Sequence, residues 1–429
     1  MLNQFANKWS VWQRKNFKHS WWEKFKQLLL FFTVFSLSSN LFFKFAIDQA
    51  YLKGLLVDYL IPKIYLFDCL LIVNLLIFLF NKKNWLKLKK IKIKLKKIDQ
   101  LILFLLAIFL IRQFLHINLA VIIYLLRLVL IIIFMITIYL DQEKQLIVRK
   151  ALLCSILWLS FLAYYQFFMQ RSLAPYQFFG EPNLGHFALI SRAQFFNQEK
   201  ILPYASTAHP NILAGIISLF TMIILDNKNK KPLISSLLLL NALVIIFLTQ
   251  SLSAFLTFCL FLIYSFIKQR ATNKQISACL KFFNLSLIAL FIFTPLIIKQ
   301  LQLNLAKEYP SILRRATLNT AAWAMFSNQT IFGVGLNNYV KEVENYSQNQ
   351  EIVRFIQPVH HGGLLLLSEG GLIALAILLL LAWKFRTQIA WSKLLILSPI
   401  FALDHYLITQ AVGLTSWLLI ITISWRSRR

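Results

Sequence analysis

The chain predicts an all-α polytopic membrane protein. About twelve transmembrane helices are expected, with both termini cytoplasmic and one large, partly helical extracytoplasmic loop between the ninth and tenth spans. Three observations carry this. Hydrophobic residues make up 59% of the 429 positions, well above an ordinary soluble domain. At about 20 apolar residues per crossing, that leaves room for roughly ten to twelve spans. The charge is lopsided, 45 Lys+Arg against 16 Asp+Glu for a net +29, and the basic residues sit between the apolar runs. In a soluble protein such an excess suggests nucleic acid. Between apolar runs it marks cytoplasmic loops and attraction to anionic headgroups, and no nucleic-acid partner is expected.

The leader, residues 1–26, carries Lys8, Arg14, Lys15, Lys18, Lys24 and Lys26, which places the N-terminus inside. The first apolar run, about 27–47, is too long for a signal sequence core and lacks a small-residue cleavage site, so it reads as a retained span. A short outer segment with Asp48 and Asp58 leads to a second span, about 63–80. Nine lysines between Lys82 and Lys97 then give the strongest inside marker. Their Leu/Ile interleaving fits a segment on the inner leaflet or a solvated basic loop. Spans three and four, about 100–114 and 118–140, carry Arg112 and Arg127; the mid-run Arg127 should face protein or a cavity rather than lipid. Lys144, Arg149 and Lys150 mark the inside again, and the fifth span ends near Gln170.

An outer loop runs to about His209, and the sixth span to Ile224. After a short basic loop, spans seven and eight form a hairpin over about 232–267 with an uncharged outer tip, Thr249 to Ser253. Lys268, Arg270 and Lys274 are inside, and the ninth span ends near Ile298. The domain reading is thus spans one to nine over 27–298, an extracytoplasmic loop over 299–359, spans ten to twelve over 360–425, and a cytoplasmic tail, 426–429. Lys384 and Arg386 lie inside, and the last two spans turn near Asp404 and His405.

Four polar features converge on the outer face. In YASTAHPNILAG, from Tyr204, Pro210 marks a helix start, and Ser206, Thr207 and Asn211 suit capping or binding. The hairpin tip is TQSLSA. In the loop, residues 314–326 fit an amphipathic helix on which Leu318, Ala321, Ala322, Met325 and Phe326 share one arc. Arg314 and Arg315 fall within that arc, so they point down onto the membrane part or snorkel to headgroups. The fourth feature is QPVHHGGLLLLSEGGL, with His360 and His361 at the mouth of the tenth span and Glu369 deeper. FGVG, from Phe332, is a turn and not a dinucleotide fingerprint, since the third glycine and the strand are missing. The outer acids Glu181, Glu199, Glu308, Glu342, Glu344 and Glu351 form no DxD pair. Cys69, Cys154, Cys259 and Cys279 lie in apolar runs without metal spacing. Neither a metal nor another cofactor is expected.

Over roughly residues 204–419 the chain resembles the O-antigen ligase and O-antigen polymerase superfamily of bacterial envelope glycan enzymes. The pieces stand in that family's order: HPNILAG, the T-x-S tip, an arginine followed by FGVGLNNY, and VHHGGLLLLSEGGL. DHYLITQ, from Asp404, resembles a late-span pattern of one branch. The resemblance implies glycan transfer from a polyprenyl diphosphate carrier to a hydroxyl acceptor (lipid, protein or glycan) at the outer face of the bacterial cytoplasmic membrane. It implies His360 as base and Arg315, helped by Arg314, as diphosphate holder. His209, Asn211, Ser251, Ser253, His361, Arg192, Lys200 and Tyr204 are the implied substrate-binding residues. Two positions depart from the family: Leu252 and Leu202 stand where arginines are expected. Either Arg192, Lys200, Arg314 and Arg315 compensate, or this copy is weak or inactive. A lipid-linked polysaccharide polymerase, a glycan translocator working through Arg127, and an inactive membrane partner remain as alternatives.

Overall fold

A computed structural model describes residues 21–80, 96–114, 118–176, 178–185, 190–226, 232–270, 310–347, 356–387 and 391–426, with 288, 292 and 295 described singly. The leader to residue 20, the lysine run 81–95, the loop 227–231, nearly all of the expected ninth span, Glu308, Glu351 and the last three residues lie outside the described residues.

The fold is mostly helical. Residues 21–35 form α1. The next helices are α2 (Leu66–Leu79), α3 (Lys97–Phe114), α4 (Leu119–Tyr139) and α5 (Gln142–Met169). They are followed by α6 (Pro210–Leu225), α7 (Pro232–Thr249), α8 (Leu252–Arg270) and the amphipathic α9 (Pro310–Asn328). The short α10 (Tyr339–Glu342) precedes α11 (Gly362–Lys384), and the chain closes with α12 (Trp391–Leu395), α13 (Ser398–Leu403), α14 (Tyr406–Thr409) and α15 (Ala411–Arg426). Among the described residues, α4, α5, α7 and α11 are long and apolar enough to cross a membrane, and several shorter apolar helices accompany them. Starts are set by caps: Asn118 accepts from the Val121 amide at 2.9 Å, and His209 and His361 accept through Nδ1 from the amides of Asn211 and Leu364, each at 3.1 Å.

The expected span boundaries need four corrections. The first span does not run to 47. Ser36 and Ser38 hydroxyls donate to carbonyls three residues back, and the chain tightens into a 3₁₀ turn at Ser36–Ser38. It then enters strand β1 (Phe42–Lys44), which pairs antiparallel with β4 (Lys63–Tyr65); between them lies the small hairpin β2 (Tyr51–Leu52) and β3 (Leu55–Leu56). The second span consequently starts at Leu66, not 63. Lys144, Arg149 and Lys150 lie within α5 itself, because Asp141 caps that helix by accepting from the Glu143 amide. The eleventh span is broken into α12, α13 and α14, with Pro399 in the first turn of α13 and Asp404 extended at its end.

The tenth span is also interrupted. Gly371 has φ 62° and ψ −163°, a conformation that side chains disfavour. The loop after α9 plugs this break. Val334 and Gly335 amides donate to the carbonyls of Ser368 and Glu369 (2.8 and 3.0 Å), and Leu372 and Ile373 amides donate to Thr330 and Ile331 (2.9 and 3.2 Å). Glu369 Oε1 accepts from the Tyr339 amide at 3.1 Å. A Cβ on Gly333 or Gly371 would fall 2.4 Å from the opposing backbone. FGVG and SEGG are thus two halves of one backbone clasp, which satisfies the groups that the break frees.

Two apolar cores result. The larger runs through α1, α2, α4 to α8 and the last helices. The smaller is a cap in which Val57, Leu60 and Ile61 from the β-hairpin region meet Leu318, Ala321, Ala322 and Met325 of α9, Tyr339, and Leu364 and Leu365 at the top of α11. The apolar arc expected on α9 is therefore the face that is buried, with Phe326 half-buried. Charges at the two ends of the bundle pair among themselves. Lys384 with Asp99 and Lys393 with Asp226 lie at one end, and Lys63 with Asp58 and Lys53 with Glu344 at the other. Between them, Arg127 forks onto the Asp68 carboxylate (Nε–Oδ1 2.9 Å, Nη2–Oδ2 2.8 Å) and also donates to the Lys63 carbonyl at 2.7 Å.

Candidate active site

The seam between the cap and the bundle gathers His360, Asp404, His405, His209 and Arg315. His360 ends the loop into α11, just before the His361 cap. Asp404 sits at the break between α13 and α14, its amide donating to the Ile400 carbonyl at 2.8 Å. The His360 Nδ1 and Asp404 Oδ1 atoms are 3.7 Å apart, a charge contact longer than a hydrogen bond. Asp404 Oδ2 accepts from Ser253 Oγ at 2.7 Å, and Ser251 Oγ lies 3.4 Å from Ser253 Oγ. The T-x-S tip therefore supports the carboxylate from a neighbouring helix.

His405 packs beside His360, with ring centroids 5.3 Å apart, and meets Tyr59 of the cap edge-on at 5.5 Å. Its Nδ1 pairs with Thr409 Oγ1 at 2.8 Å. His209 faces the same cleft. Its Nε2 lies 3.3 Å from Ser191 Oγ, which the Tyr204 hydroxyl contacts at 3.1 Å. Arg315, half-buried on α9, lies near enough for its charge to act on Asp404, His209 and His405.

These neighbours set the electrostatics. The Asp404 carboxylate stands among His360, Arg315 and Ser253, which supply positive charge and a hydroxyl donor. Desolvation, with Asp404 opposing it and His360 and Arg315 adding to it, lowers His209 to about 4.

The structure brings together His360, Arg315, His209, Ser251 and Ser253. It does not bring all the expected binding residues with them. Arg192 pairs with Glu199 at 3.1 Å across the hairpin of β5 (Arg192–Phe195) and β6 (Gln198–Ile201). Lys200 lies over the Phe167 ring at 5.0 Å. Neither contact is with the cleft, because the hairpin's own cross-strand and aromatic partners satisfy these cations. His361 is 4% exposed and spends its Nδ1 as the cap of α11. Tyr204 is buried, packs edge-on against the His209 ring at 6.0 Å and supports Ser191; its amide and that of Ala205 both donate to Gln166 Oε1. Asn211, half-buried, gives its backbone amide to His209. Arg314 is half-buried beside Arg315. Glu181 is a structural acid, accepting from Gln166 and from the amides of Leu173 and Ala174.

Leu202, where the resemblance leads one to expect an arginine, packs with Phe167, Phe195 and Leu248, whereas Leu252 is 61% exposed. Asp404, His405 and Tyr59 were not among the residues expected to bind or react. The DHYLITQ pattern pointed at the first two; nothing in the sequence pointed at Tyr59. Among the described residues, no three or more His, Cys, Asp or Glu side chains group as a metal site.

The apolar helices fit an integral membrane protein, and at one end of the bundle a cation, an imidazole and a carboxylate meet. Residues 234–379, about a third of the chain, match the family model described as O-antigen ligase, so this stretch is similar to that family. The matched stretch holds Ser251, Ser253, Arg315, His360 and the clasp; His209 and Asp404 lie beyond it. No curated protein matches the chain.

Proposed function

We propose that this protein transfers a glycan from a polyprenyl diphosphate carrier to a hydroxyl acceptor at the outer face of the bacterial cytoplasmic membrane, as an O-antigen ligase-like glycosyltransferase. The observation that carries the reading is the meeting of Arg315 and His360 around Asp404, under the α9 cap. The leaving diphosphate is already a stabilised anion, so the chemistry draws on a cation and a base and uses no nucleotide or metal. Arg315 binds the diphosphate, where a partly dry cleft strengthens guanidinium contacts. His360 takes the acceptor proton. Ser251 and Ser253 flank the carboxylate, and the apolar helices hold the prenyl tail. The pairing of Lys384 and Lys393 with acids at the end opposite the cleft supports an orientation with those lysines in the cytoplasm.

The polymerase alternative shares every step, since a growing chain also presents a hydroxyl. A translocator would need a free charge within the bundle, and Arg127 is already forked onto Asp68. The test is complementation of a strain lacking its native enzyme. His360→Ala and Arg315→Ala variants should each abolish glycan transfer while reaching the membrane at normal levels. Full transfer by both would remove the mechanism.

A further inference from the structure

We propose that a cavity at the end of the bundle opposite the cleft holds a zwitterionic phospholipid, one whose headgroup carries a phosphate and a primary ammonium. This site does not depend on the transfer reading, and its test reads lipid binding alone.

The cavity lies where four helix ends come level. α1 begins at residue 21, α2 ends at Leu79 and α4 ends at Tyr139, and only Leu140 and Asp141 separate α4 from α5. Two turns into α5, Arg149 donates to the Ile223 carbonyl, beside the Lys393–Asp226 pair. That contact sets these ends on the side of the bundle away from His360. Between them is a space of about 140 Å³. A single water needs only about 15 Å³, so the space admits a larger polar group.

The lining is layered. Near the helix ends stand Glu23 and Lys26 of α1, the cap Asp141, and Glu143 and Lys144 of α5. One turn further in, the walls are Leu29 and Leu30 on α1 and Ile147 on α5. Charge at the mouth and hydrocarbon behind it is the order in which a lipid presents its headgroup and its first methylenes. At the same level Trp21 and Trp22 are 62% and 43% exposed, and Phe25 stacks on both at 5.8 and 5.4 Å. Exposed tryptophans at this depth are the girdle of a membrane–water interface.

The charges select the headgroup. Among the described residues, three carboxylates and two ammonium groups line the cavity. A purely anionic headgroup would meet more acid than base; a headgroup bearing both signs matches both. Lys26 lies over the Trp22 ring at 5.7 Å and Lys144 over the Phe78 ring at 5.0 Å. An ammonium carries three donors, so a ring face and a phosphate oxygen can share it. Asp141 is fixed by accepting from the Glu143 amide through Oδ1, and Glu143 is exposed in the first turn of α5. These two carboxylates receive the headgroup ammonium.

The experiment delipidates the full-length protein in detergent and adds back phosphatidylethanolamine, phosphatidylglycerol or phosphatidylcholine with identical acyl chains. Bound lipid is counted by native mass spectrometry. One phosphatidylethanolamine should be retained, about tenfold more tightly than either of the others. Lys26→Gln with Lys144→Gln should weaken it by about tenfold or more, and Glu23→Gln with Glu143→Gln should erase the preference over phosphatidylglycerol. Equal retention of all three lipids, or none, would overturn the site without recourse to any variant. A preference for phosphatidylglycerol would move the attraction to the lysine-rich segments of the chain and overturn it too. So would unchanged binding by a lysine variant that unfolds at the wild-type temperature. Free phosphoethanolamine is the last arm: it should not displace the lipid at equal concentration, and if it does, the ligand is a soluble phosphate ester and the lipid assignment fails.

Discussion

Glu369 belongs to the motif that carries the resemblance, and its place in the fold makes it a clasp residue rather than a reacting acid. Its Oε1 accepts from the amide of Tyr339, a residue with no exposed surface, and its carbonyl accepts from Gly335. Replacement by glutamine keeps an oxygen in that position. Glu369→Gln should therefore cost about 1 kcal/mol, the scale of one altered hydrogen bond. Glu369→Ala leaves the Tyr339 amide buried without a partner, at about 1–3 kcal/mol, and adds the loss of packing around the break. The clasp begins directly after α9, which bears Arg315, so loosening it should raise the donor level needed for half-saturation before it lowers the saturating rate. The assays are thermal unfolding in detergent and donor-dependent glycan transfer. Near-normal transfer by the glutamine variant and clear destabilisation of the alanine variant are expected. A glutamine variant that folds normally and transfers nothing would refute the reasoning and return Glu369 to the chemistry.

Leu202→Arg would bury a cation among Phe167, Phe195 and Leu248 and should destabilise the protein by several kcal/mol, whereas Leu252→Arg, on an exposed position, should change stability by less than about 0.5 kcal/mol; thermal unfolding of both variants checks this. Restoring the family's arginines is therefore expected to be tolerated only at 252. Arg127→Leu leaves Asp68 unpaired inside the bundle and should cost about 3–5 kcal/mol, most of it recovered by also changing Asp68 to Asn; equal unfolding midpoints for the single and double variants would contradict the pairing. His209 is held below the ordinary histidine range, at about 4, so the folded state binds fewer protons than the unfolded chain once pH drops below about 6.5. Stability present above that pH should be lost progressively toward pH 4. His209→Asn, which keeps a helix cap, should soften that acid limb in unfolding midpoints measured from pH 8 to 4.

Much of the architecture could be read in advance because it depends on local pattern. The span from Leu119 was legible from its run and its Asn118 cap, and the buried arc of α9 from the spacing of Leu318, Ala321, Ala322 and Met325. The end of the first span was not, because mean apolarity does not register serine hydroxyls competing for helix carbonyls or a strand partner at residues 63–65. The same limit hid the fracture of the eleventh span. Motif order singled out His360 and Arg315, and the fold sets both near Asp404. Asp404 stood out only as a turn, since its serine partner is 151 residues away along the chain. His361 looked like a second functional histidine because a sequence cannot say which of two adjacent rings turns back to close its own helix. The extended residue before a glycine-initiated helix was the available signal, as His209 before Pro210 was for α6.

The cleft is assembled from both sides of the stretch that matches the family. Tyr59 and His209 come from before residue 234, and Asp404 and His405 from after residue 379. A chimaera that grafts only 234–379 onto a relative's helices would import the arginine and the imidazole but borrow the host's carboxylate. Exchange between such proteins is thus expected to be graded by how well the recipient's last two helices present an acid at that spot, which makes the C-terminal quarter of the chain the segment to transplant together with the loop.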